Sequence, residues 1–209
     1  RNEDVDIEDT PAMPELEEKA NALFEKAFKT DRIMKSLFTD VRKAESFMDA
    51  MELMEALFNI AGDLPNVPEL GLSIMDVFTK EELFNVFKAF NASVMVSIGV
   101  IPGSAPVYRQ QLEARDSLVS VADRVIREGR PALTLRFTHD GTILPLTYLM
   151  GIREAMGGRT DLENLHKYIS VDKLIPMAAN IQLIFYRKEG SDDVLVKFLF
   201  NENETSPPL

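Results

Sequence analysis

Apolar positions recur at helical spacing through the first half of the chain. Over 14–29, Leu16, Ala20, Leu23 and Ala27 fall on one side, with Phe24 and Phe28 beside them, which predicts a helix. Asp31 is placed to cap a short helix through Phe38. Over 40–61, Phe47, Met51, Met54 and Phe58 form a stripe widened by Met48, Leu57 and Ala61, which predicts one long helix. Its methionines read first as adaptable core filler and second as a partner groove. Gly62, Pro65 and Pro68 end it in a loop. Thr79 stands three residues before Glu82 and ahead of Leu83, Val86, Phe87 and Phe90, the pattern of a capping box opening another helix. After Pro102 and Gly103, Ser104 is placed to cap a helix over about 105–128. Its apolar face is Leu112, Val119, Ala122 and Ile126, and Gly129 and Pro131 stop it.

At Pro131 the period changes. Leu133, Leu135 and Phe137 alternate with Thr134, Arg136 and Thr138, which predicts a strand over 132–138. A helix over 142–150, a weaker one near 161–170, and strands over 181–186 and 194–200 follow. The stretch 187–193 reads as a hairpin loop and 203–209 as an unstructured tail. The fold class is therefore α/β. Residues 1–11 are expected to form an acidic, disordered leading segment, 12–103 a helical region, and 104–209 a mixed region of helix, strand, helix and hairpin. Three strands do not close a sheet, so the hairpin is expected to belong to a larger one, with strands contributed from before residue 1.

Charge and composition narrow the function. The 209 residues carry 23 Lys and Arg against 34 Asp and Glu, a net charge of −11. That argues against a nucleic-acid grip, which needs clustered cations. No apolar run approaches the roughly 18 residues of a membrane span. The absence of cysteine excludes disulfides, thiolate catalysis and Cys-rich zinc sites. With only His139 and His166, a metal centre would rest almost wholly on carboxylates.

The chemistry concentrates at Thr138-His139-Asp140-Gly141-Thr142, where the predicted strand meets a helix. Ligands of open α/β sheets bind beyond the carboxyl ends of strands, and a helix N-terminus favours an anion. A histidine there can hydrogen-bond an oxyanion, and a neighbouring carboxyl group can protonate a leaving oxygen. Gly141 is expected to permit the tight turn between them. The set suits phosphoryl chemistry, although a bare His-Asp pair also serves as a strand-end cap.

The longer string LTLRFTHDGTILPLTYLMGI, with PMAANIQLIFYR and VLVKFLFNE downstream, resembles the histidine acid phosphatase branch of the histidine phosphatase superfamily. It is most similar to the phytase and multiple inositol polyphosphate phosphatase group. The helical stretch from Asp31 through KEELFNVFKAFN is similar to that group's cap, so the resemblance spans roughly residues 30–205. It implies hydrolysis of phosphate monoesters, inositol polyphosphates among them, through a phosphohistidine. In that scheme His139 binds the phosphate and Asp140 donates the proton. No cofactor is expected, and no metal, given the scarcity of ligands; the resemblance implies a periplasmic, secreted or secretory-lumen location. It also implies a partner: the N-terminal half of the same protein. The family's nucleophile belongs to an Arg-His-Gly motif, and this chain has no Arg-His pair. The inositol polyphosphate branch often carries His-Ala-Glu where this chain has His139-Asp140-Gly141.

Other polar residues read more plainly. Arg136 either reaches the phosphate or, the favoured expectation, pairs with a carboxylate. Asn180 caps a turn rather than lining a pocket. Arg109 and Arg115 face solvent or an acidic neighbour, and His166 is a surface helix residue. The sequons at Asn91 and Asn203 are short enough to arise by chance. Two further function classes stay open: a helical binding module built on the Met-rich helix, and a degenerate phosphatase fold kept as a scaffold.

Overall fold

The computed structural model describes residues 14–27, 29–98, 100–101, 109–130 and 132–206, with the side chains of Arg109 and Gln110 excluded. The expectations for 1–11, Ser104, the start of the helix at 105 and the Arg109 side chain fall outside this set. The chain is mixed α/β and mostly helical, with one small antiparallel sheet. Its described residues divide into two compact units, one of 19–90 and one of 14–18 with 91–206. The division falls inside a helix, between Phe90 and Asn91.

The unit of 19–90 is helical. It contains most of α1 (Pro14–Ala27), then α2 (Thr30–Leu37), α3 (Val41–Glu45), α4 (Ala50–Asp63), three single 3₁₀ turns over 64–77 and the first part of α5 (Lys80–Ser97). The long helix expected over 40–61 is two helices. Asp49 adopts an extended conformation and its carboxylate accepts from the N–H groups of Met51 and Glu52 at 2.7 and 3.1 Å, starting α4 afresh. Phe47 therefore leaves the stripe and is 78% exposed. Met54 and Ala61 stay in the core with Ala27, Ile33, Phe78, Val86 and Ala89, and Met51, Leu57 and Phe58 pack against them. Phe58 meets Phe78 edge to face, with ring centroids 6.4 Å apart.

The capping box forms as the spacing predicts. Glu82 N–H donates to Thr79 Oγ1 at 3.1 Å, and Thr79 N–H donates to Glu82 Oε2 at 2.8 Å. The Glu82 carboxylate also receives Arg32 of α2, with Nε on Oε1 at 2.7 Å and Nη2 on Oε2 at 2.6 Å. Nη2 additionally donates to the Val77 carbonyl at 2.6 Å. One carboxylate thus caps α5 and ties α2 to it, a bidentate arrangement.

The other unit holds the end of α5, α6 (Arg109–Glu128), α7 (Asp140–Leu149), α8 (Val171–Leu174) and strands β1 (Ile181–Arg187), β2 (Val194–Phe200) and β3 (Asn203–Thr205). Gly129 closes α6 with φ +63°, as a helix stop requires. Arg187, the last residue of β1, donates to the Ile126 carbonyl at 3.1 Å, capping the same helix end. β1 and β2 pair from Ile181↔Phe200 to Arg187↔Val194. The expected unstructured tail begins instead with β3, because Asn201 and Glu202 both take positive φ (48° and 65°) and turn β2 back on itself. The helix expected near 161–170 is a 3₁₀ segment, Leu162–Lys167, followed by α8. Asn91 is fully buried: its amide donates to the Ile169 carbonyl and accepts from the Val171 N–H, at 3.1 and 2.8 Å. Its sequon therefore sits on a packed helix face.

Removing the Glu82 carboxylate should release both the cap and the Arg32 tie. Glu82→Ala is expected to cost about 1–2 kcal/mol in urea unfolding at pH 7. The Arg32 hydrogen bond, foremost, holds the Glu82 pKa below its ordinary 4.5, against burial. A lowered folded pKa means the contribution is complete above the unfolded value and fades as pH falls through the folded one. The gap between wild type and Glu82→Ala should accordingly narrow at the acid end of a stability–pH series.

Candidate active site

The segment leading into α7 differs from the expected strand. Residues 132–139 are exposed and belong to no ladder, and among the described residues their peptide groups make no strand hydrogen bond. The helix–strand–helix expected here is therefore helix, unpaired segment, helix. The alternating residues are among the most exposed large apolar side chains of this unit: Leu133 at 82%, Leu135 at 65% and Phe137 at 92%. The pattern of a strand is present, and the neighbours a strand needs are not among the described residues. β1 likewise has β2 as its sole ladder partner in that set.

The segment ends at His139, whose φ −91° and ψ 163° are extended. Asp140 then opens α7. The His139 carbonyl accepts from Thr142 and Ile143 N–H at 3.0 and 3.2 Å, so His139 is the N-cap by backbone geometry. Its imidazole makes no capping bond and is exposed. Asp140 is exposed too, and its Oδ1 accepts from the Gly141 N–H at 2.8 Å. Oδ2 has no hydrogen-bond partner among the described residues. One backbone junction thus presents an imidazole and a carboxyl group side by side at the start of a ten-residue helix. That arrangement can donate to an anion and hold a proton beside it.

Gly141 does not play the expected part. It lies within α7, has no positive φ, and an added Cβ would meet nothing within 4 Å. The change of direction is made by the ordinary backbone angles of His139. Among the described residues Arg136 has no carboxylate partner, contrary to expectation: its Nη2 donates to Ser117 Oγ on α6 at 2.9 Å. Arg115 pairs with Asp116, with Nη2 2.8 Å from Oδ1, as an acidic neighbour was expected to allow. Asn180 ties a turn, its N–H donating to Asn201 Oδ1 at 3.1 Å and its Nδ2 to the Ala178 carbonyl at 3.1 Å. His166 is half-buried on the 3₁₀ segment rather than on a surface helix.

Gln111, which the sequence did not single out, lies on α6 beneath the junction. Its Nε2 approaches the Gly141 carbonyl at 3.5 Å. Among the described residues no cluster of three or more His, Asp or Glu side chains could hold a metal ion, and no helix is long and apolar enough to cross a membrane. A cavity of about 500 Å³ runs along α6 past Asp116, Val119 and Arg127, and the residues of the His139 junction do not line it. No protein-family model matches the chain, and no curated protein matches it.

An extended segment without ladder bonds leaves its amide protons open to solvent. In the chain studied alone, the amides of 133–138 should exchange within about tenfold of unstructured rates. Those of Leu183, Phe185 and Phe198 should be clearly slower. Strong protection across 133–138 would mean that the segment has a strand partner.

Proposed function

We propose that this chain supplies the second histidine and the proton donor of a phosphomonoesterase that works through a phosphohistidine. The observation that carries the reading is the junction itself. His139 and Asp140 are both solvent-accessible at the N-terminus of α7, the place and the pair of groups that a phosphate ester would require. The resemblance of the surrounding string to the histidine acid phosphatases, in the phytase and inositol polyphosphate group, supports the same assignment. Under it His139 hydrogen-bonds the phosphate oxygens, and Asp140 delivers a proton to the departing alcohol. The nucleophilic histidine and the phosphate-clamping arginines come from residues outside this sequence, which contains no Arg-His-Gly motif. The unpaired 132–138 segment fits a strand whose neighbours those residues carry. The substrate is a small phosphate ester, inositol polyphosphates included, and the setting is a periplasmic, secreted or secretory-lumen one.

A second reading, a helical binding module, draws on the exposed apolar side chains of the 19–90 unit, Phe47, Leu70 and Leu72 among them. It assigns no task to His139 and Asp140, and the phosphatase reading is preferred for that reason.

The two readings part on phosphate. With only two histidines, the ring resonances of the chain are readily assigned. Inorganic phosphate is expected to move the His139 signals saturably and to leave His166 in place, while the chain alone releases no phosphate from nitrophenyl phosphate at pH about 5. An unresponsive His139 would refute the phosphate assignment. In the enzyme completed by its nucleophile-bearing half, Asp140→Asn should slow alkyl phosphate hydrolysis by about 10²-fold or more, and nitrophenyl phosphate far less, since nitrophenolate departs without a proton. Equal slowing would remove Asp140 from the donor role.

A further inference from the structure

Pro145 lies inside α7, beyond its first turn. In an α-helix the N–H of each residue donates to the carbonyl four residues earlier. Proline has no N–H, so the carbonyl left without its helical donor is that of Gly141. Gly141 directly follows His139 and Asp140, so the defect falls in the turn that presents them.

A donor from another helix stands at that carbonyl. α6 packs along α7, and Gln111 Nε2 faces Gly141 O at 3.5 Å. Gln111 is only 6% exposed, unusual for a glutamine. Its Oε1 is buried with no hydrogen-bond partner among the described residues. Turning the amide end for end would set oxygen against oxygen at Gly141, so the carbonyl dictates the orientation in spite of the unpaired Oε1. An apolar side chain would fill the same space without leaving a buried acceptor unmade. The amide is therefore explained by what its nitrogen does.

We infer that Gln111 is a positioning residue: its amide replaces the N–H that Pro145 lacks and holds the first turn of α7, and with it His139 and Asp140, in the orientation that receives an oxyanion. The inference rests on the reading of this junction as a phosphate site and adds to it a residue from a different helix. It also makes a specific coupling. Gln111 is needed because residue 145 is proline, so restoring an N–H at 145 should make Gln111 dispensable.

The experiment uses the full 209-residue chain, labelled with ¹⁵N, and inorganic phosphate as the probe. Gln111→Leu is expected to raise the phosphate dissociation constant about fivefold, the worth of one hydrogen bond, and to shift the Gly141 and Thr142 amide signals. Gln111→Met serves as a second variant of the same length without a donor. Adding Pro145→Ala to either should bring the constant back within about twofold of wild type and reverse most of the amide shifts. A merely space-filling role for Gln111 would show no dependence on residue 145. Unchanged phosphate affinity and unchanged Gly141 and Thr142 signals in both Gln111 variants would overturn the inference, as would a loss that persists undiminished with Pro145→Ala. If wild type shows no phosphate response, the phosphate reading fails. The same series then tests the positioning through the Gly141 and Thr142 signals, where a change reversed by Pro145→Ala supports it and no change refutes it.

Discussion

Peptide groups in a folded protein need hydrogen-bond partners, and around His139 the described chain supplies few of them. Upstream, 132–138 has the alternation of a strand and no ladder. Downstream, α7 carries a proline just beyond its first turn, which leaves the Gly141 carbonyl without its helical donor. Between these two defects the chain exposes an imidazole and a carboxyl group. A backbone that is incompletely satisfied by its own neighbours is poised to take groups from elsewhere, whether another strand, a side chain such as Gln111 or an anion at the helix start. The chemistry proposed for this junction follows from that shortage.

Elsewhere in each unit, single side chains satisfy particular backbone groups. In the 19–90 unit, Glu82 caps α5 by accepting from the Thr79 N–H and clamps Arg32, so one carboxylate serves two local demands. In the other unit, Asn91 closes two backbone groups of the 169–171 bend with one buried amide, and Arg187 covers the end of α6. The loosely held stretch before α7 contrasts with them, and flexible or unpaired segments beside a rigid helix are a common place for binding chemistry.

Local signals were legible wherever one side chain decides the outcome. The Thr79–Glu82 box and the Gly129 stop follow directly from capping and positive φ, and β1 and β2 from short runs rich in β-branched and aromatic residues on either side of a loop. Averaged patterns misled where a single residue overrode them. The apolar stripe over 40–61 continues in sequence through Phe47 and Met48, yet the Asp49 carboxylate restarts the helix. β3 was hidden because its turn uses Asn201 and Glu202 in a conformation usually marked by glycine. Gly141, by contrast, looked like a required turn residue and is an ordinary helical one.

The sequence by itself determined that an imidazole and a carboxyl group adjoin at the end of an alternating segment and the start of a helix, since adjacency and periodicity are properties of the chain alone. It also carried the proline four residues beyond Gly141 and the motif from which the proposed roles of His139 and Asp140 are drawn. Only the tertiary structure decided that both side chains are exposed, that the alternating segment has no ladder partner among the described residues, and that Gln111, thirty residues away, reaches the carbonyl Pro145 cannot serve. Those facts depend on which helix packs against which, and long-range packing is set by the sum of many weak burial terms rather than by any local signal.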